Sequence, residues 1–106
     1  MIERLASFIK KELSMFLREN ISLEKGVFLS VTQVFIDDSL NRAQVYVSVF
    51  PEKFSSDIFK ELKLLKKSAR KFLASRVGRH KIPEINFVLD KNLDAESRIE
   101  KLLKNE

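Results

Sequence analysis

The sequence predicts an α+β domain: a small three-stranded sheet with helices on one face and a short helix at the C-terminus. Three observations carry this. Apolar residues recur at helical spacing near the N-terminus and again from residue 55 onward. Between and after those stretches they alternate at period two in three segments. The resulting order is helix, strand, strand, helix, helix, strand, with a helical tail.

The composition bounds the class. The chain has 106 residues, enough for one domain with a single modest core. Its 44% hydrophobic and 33% charged content belongs to a globular chain rather than a disordered one. With no cysteine there is neither a disulfide framework nor a thiolate metal site, and His80 is the only histidine. Glu3, Arg4, Lys10 and Lys11 interrupt the apolar residues of the N-terminus, so it is neither a secretory signal nor a membrane span. A cytoplasmic location is expected.

Taken in order, Ile2, Leu5, Phe8, Ile9, Leu13, Phe16 and Leu17 lie at helical spacing, with Lys10, Lys11 and Arg18 outward. They predict an amphipathic first helix over 2–19. Asn20 to Gly26 is a connection. Val27, Leu29 and Val31 then alternate, followed by Val34 and Ile36, and the change of phase near Thr32 and Gln33 suggests a bulge or a strand buried on both faces. Asp37 to Asn41 is a turn by composition. Ala43, Val45, Val47 and Val49 alternate with Arg42, Gln44, Tyr46 and Ser48, which completes an antiparallel hairpin. Pro51 ends that strand, and Ser55 or Ser56 is the expected cap of the next helix. Ile85, Phe87 and Leu89 predict a third strand, and Asp94 caps a final helix bearing Ile99, Leu102 and Leu103.

The stretch from Ser55 to Pro83 holds the basic character. Between Lys60 and Lys81 there are nine Lys/Arg residues and one acid, Glu61, a local charge of +8 in a chain whose total is +5. Lys63–Lys67, Lys67–Lys71 and Lys66–Arg70 are like-charge pairs four apart, each costing about 0.2–0.5 kcal/mol. Stability alone favours mixed signs, so an anionic partner is the better account. Ile58, Leu62, Leu65, Ala69 and Phe72 form the apolar line, on which Arg76 also falls. One straight helix from Ser56 to Val77 would run about 33 Å, long for a domain with a radius of gyration near ~13 Å. Two helices with a bend between Leu65 and Phe72 are expected, Ser68 being the residue whose hydroxyl could loosen the ladder.

Catalytic signatures are missing. The chain has no phosphate-binding loop and no dinucleotide fingerprint. His80 lies between Arg79 and Lys81, which disfavours the imidazolium that a general base must become. Asp37 and Asp38 read as turn residues rather than metal ligands. No enzyme activity, cofactor or metal is expected. The basic face suits phosphate neutralisation, while aromatic platforms for reading bases are less evident.

Particular stretches resemble ribosome-binding factor A of bacteria. These are Phe28 to Val34, Asp37 to Val49, Arg70 in its basic helix, Ile82 to Asp90, and the closing Arg98-Ile99. The resemblance covers nearly the whole chain. It implies a type II KH-like fold, the same αββααβ order, without the usual Gly-x-x-Gly loop and with a helix–kink–helix in its place. Where that family commonly carries Ala-x-Gly at the bend, this chain has Lys66-Lys67-Ser68-Ala69, and it has His80 where Arg is usual.

The implied function is a non-catalytic assembly factor that binds the immature small (30S) ribosomal subunit and aids maturation of its 16S rRNA. Residues 1–92 form the KH-like RNA-binding domain and 93–106 a helical tail. The expected phosphate contacts are Lys60, Lys63, Lys67, Arg70, Lys71, Arg76, Arg79 and Lys81. A monomer without a small-molecule substrate or membrane partner is expected. The rival reading is a protein-interaction module, homodimeric or otherwise, that docks its basic helix on an acidic protein.

Overall fold

The computed structural model describes residues 2–77 and 81–90. Their order is α1 (Ile2–Asn20), β1 (Phe28–Ile36), β2 (Arg42–Phe50), α2 (Ser55–Val77) and β3 (Glu84–Leu89). The strands form one mixed sheet in the order β1-β2-β3, with β1 antiparallel and β3 parallel to β2. A parallel pair needs a long crossover, and α2 supplies it. The C-terminal helix expected from Asp94, and the boundary after residue 92, lie outside the described residues.

α1 buries Ile9, Leu13, Phe16 and Leu17, the stripe that its periodicity predicts. The chain then turns at Glu24–Val27, where Gly26 takes a φ of 86°, a conformation free of a Cβ penalty only for glycine. In the hairpin, Phe28 to Val31 pair with Phe50 to Val47, and Gln33 to Ile36 pair with Tyr46 to Ala43. Thr32 is the extra residue, so the ladder bulges there. The bulge explains the sequence pattern. It shifts the phase by one, so that Leu29 and Val31 before it and Val34 and Ile36 after it all pack against the same core.

Thr32 also has a partner across the sheet. Its hydroxyl lies 2.8 Å from Asp90 Oδ2 and 3.3 Å from the Tyr46 carbonyl. The side chain at the bulge thus reaches over β2 to the end of β3. The turn from β1 to β2 is built by Asp37: its carboxylate accepts hydrogen bonds from the backbone N–H of Asn41 at 2.8 Å and Arg42 at 3.1 Å, and from Ser39 Oγ at 2.8 Å. These donors, the Arg42 N–H foremost, hold the Asp37 carboxyl below the usual aspartate value.

α2 is one unbroken helix of 23 residues, so the bend expected between Leu65 and Phe72 is not there. Two physical reasons account for this. The buried positions Ile58, Leu62, Ala69 and Leu73 repeat at eleven residues, a spacing close to the natural pitch that keeps a straight helix in register with its core. Arg76, on the line of Ile58, does not need to be buried. Its long side chain lies at the margin of the stripe with the guanidinium 5.4 Å from the Phe72 ring centroid and Nε 3.2 Å from Glu12 Oε2. The helix start also differs from expectation. Pro51 is followed by a 3-10 turn at Glu52–Phe54 that runs straight into α2, and Ser55 is already helical, with φ −58° and ψ −43°.

α1 packs on β1 and α2 on β3, and the two helices meet where the rings of Phe16 and Phe72 lie 5.1 Å apart. Between helices and sheet lie Val31, Ala43, Val45, Val47, Val49, Ile85 and Phe87 from the strands. On the opposite face of the hairpin Phe28, Ser30, Gln33, Phe35, Arg42 and Gln44 remain exposed.

Candidate nucleic-acid interface

With Ile58, Leu62, Ala69 and Leu73 against the core, α2 has two flanks and an outer face. The 3.6-residue period assigns the cations among them. Lys66 and Arg70 fall on the flank nearest β3. Lys66 Nζ is 2.7 Å from Asn86 Oδ1 and 3.3 Å from Glu84 Oε1, and Arg70 Nη2 donates to the Ile82 carbonyl at 3.1 Å. Arg76 leans the other way, to Glu12 on α1. These three tie α2 to its neighbours.

Lys60, Lys67 and Lys71 occupy the outer face. All three are exposed, and among the described residues none has a hydrogen bond or ion pair. Lys63 stands beside them, also exposed, with Nζ 5.2 Å from the Phe59 ring centroid. The repulsions of Lys63–Lys67 and Lys67–Lys71 are thus left uncompensated, whereas Glu84 offsets the Lys66–Arg70 pair. Lys81 sits in the connection before β3, where its Nζ donates to Asn41 Oδ1 at 2.6 Å. Arg79 lies outside the described residues.

The structure therefore gathers Lys60, Lys63, Lys67 and Lys71 on one surface, with exposed Arg70 beside Lys63 but bonded to the Ile82 carbonyl, and turns Arg76 away to Glu12. Sequence reasoning could not separate these groups, because charge alone does not say which cation finds an acid from another element. Glu12 and Glu84 are distant in sequence from the residues they hold. One residue on the outer face was missed altogether. Leu64 is 84% exposed and lies between Lys60 and Lys67. Its signal was present as an apolar residue far off the buried stripe.

The division makes a prediction. Arg76→Gln removes the ion pair and ring contact, and should cost about 1 kcal/mol of stability. It should leave the salt dependence of nucleic-acid binding unchanged, whereas Lys67→Gln should reduce the slope of log affinity against log salt by about 0.7–0.9. Chemical denaturation and binding isotherms over a salt series measure both.

The family model for ribosome-binding factor A matches residues 1–103. A ribosome-binding factor A of Chlorobium phaeobacteroides is 37% identical over 105 residues, covering 96% of this chain and 90% of that protein. The crystal structure of ribosome-binding factor A from Thermus thermophilus superposes with a TM-score of 0.71 at 20% identity, covering 84% of this chain and 96% of that one. A homology model of the Thermus thermophilus factor, fitted into the cryo-EM map of its 30S complex, gives a TM-score of 0.63 at 21% identity over 78% of this chain and 88% of that one. The mixed three-stranded sheet covered by two helices is consistent with the KH-like fold. The match over nearly its full length, at that level of identity and with that architecture, means that the chain belongs to the ribosome-binding factor A family.

Proposed function

We propose that this protein is a non-catalytic assembly factor that binds the small (30S) ribosomal subunit in the cytoplasm and assists maturation of its 16S rRNA. Membership of the family supports the ribosome as partner, as does the 30S complex whose cryo-EM map the Thermus thermophilus homology model was fitted into. The observation that carries the mechanism is the row of exposed lysines on α2, which pair with no acid among the described residues. Such a row costs stability and suits a ligand with regularly spaced negative charge. The interface is the outer face of one unbroken helix.

Phosphate neutralisation releases counterions, so affinity should fall steeply with salt. For about five phosphates the slope of log affinity against log salt is roughly −3.5 to −4.5, between the single-strand and duplex values. Co-sedimentation of the full chain with 30S subunits over a salt series measures it. A slope near zero, or binding that survives nuclease digestion of the rRNA, would favour the acidic-protein partner instead.

A further inference from the structure

Leu64 is the most exposed of the large apolar side chains among the described residues, at 84%, well above Phe35 at 56%. It is not a stray surface residue next to a polar face. At 100° per residue, Lys60, Leu64, Lys67 and Lys71 fall within about 60° of one another, on the side of α2 opposite the core. One lysine stands a turn before Leu64 and another a turn after it. Neither packing nor helix stability requires a leucine there.

We propose that Leu64 is an apolar wedge that packs against an unpaired nucleotide of the RNA, while the lysines around it hold the flanking phosphates. RNA has the matching chemistry. At a bulge or single-stranded junction it offers an apolar base face within a few ångströms of backbone negative charge. Apolar side chains framed by cations engage unstacked bases in this way on nucleic acids. A fully paired A-form helix has no such face within reach, because its bases are stacked and its major groove is too narrow. The lysines alone would bind either form. Leu64 gives the surface a preference for the unpaired one, and this preference rests on the RNA-binding reading above.

The test compares the wild type with Leu64→Ala and Leu64→Gln on two RNA duplexes of the same sequence, one perfectly paired and one with a single-nucleotide bulge. Because Leu64 is almost wholly in solvent, both variants should keep the thermal midpoint of the wild type. Affinity for the bulged duplex should fall by about five- to thirtyfold, the loss expected for removing most of a buried leucine. It should fall at every salt concentration, with the slope unchanged, and affinity for the paired duplex should stay within about twofold. Equal affinities of variants and wild type for both duplexes, with the steep slope retained, would overturn the wedge and leave phosphate binding intact. A salt slope near zero for the wild type would overturn the RNA reading itself. Concentration-dependent self-association of the wild type, abolished by Leu64→Ala, would assign the leucine to a contact between copies of this chain.

Discussion

Replacing Lys60, Lys67 and Lys71 together by Gln should lower affinity for the 30S subunit by on the order of a hundredfold at 0.1 M salt, and by only about twentyfold at 0.2 M. The argument is counterion release. Each phosphate neutralised contributes about 0.7–0.9 to the slope, so three lost contacts flatten it by roughly 2–3. These side chains are exposed and unpaired among the described residues, so the fold gives up nothing when they are changed. Removing the Lys63–Lys67 and Lys67–Lys71 repulsions should hold the thermal midpoint or raise it slightly. Isotherms at several salt concentrations, beside a melting curve, give both results. Marked unfolding of the triple variant would show that the row is structural, and the assignment of α2 as the interface would fall.

Leu62→Ala should have the largest effect on stability. Leu62 has no exposed surface and sits in the middle of the buried stripe of α2. Deleting its branched end removes transfer free energy and leaves a cavity, at a cost of about 2–5 kcal/mol. A domain of this size is typically stable by only about 5–15 kcal/mol, so a large fraction of the total is at stake. In urea the midpoint should move down by about 1–2 M with little change in slope. The neighbouring Leu64→Ala should shift stability by no more than about 0.5 kcal/mol. A similar cost for both leucines would mean that α2 is rotated about its axis from this orientation.

The contrast between those two leucines also marks what the sequence could convey. Local patterns were legible. The two halves of β1 in opposite phase left a bulge or a strand buried on both faces, of which the structure has the bulge, and Asp37 announced the turn whose backbone it holds. The third strand appeared as Ile85, Phe87 and Leu89. The bend in α2 was inferred from Arg76, on the premise that a residue in line with the core must be buried. Side-chain length defeated that premise, since the guanidinium reaches Glu12 on α1 from the edge of the stripe. The same kind of long-range pairing withdrew Lys66 and Arg70 toward β3, which no periodicity could show. The parallel setting of β3 on β2 was equally out of reach, because an isolated strand pattern carries no direction.

The bulge at Thr32 has a consequence for the molecule among its own kind. β1 forms one edge of the sheet and exposes Phe28 and Phe35, a combination that invites another chain to add a strand. Edge-to-edge association needs an uninterrupted, flat run of free backbone groups. The extra residue splits the nine-residue strand into two short segments of opposite phase and twists one against the other. An incoming strand in register with Phe28–Val31 is therefore out of register with Gln33–Ile36. The irregularity that lets both halves of β1 reach one core also denies a second molecule a continuous template on which to aggregate.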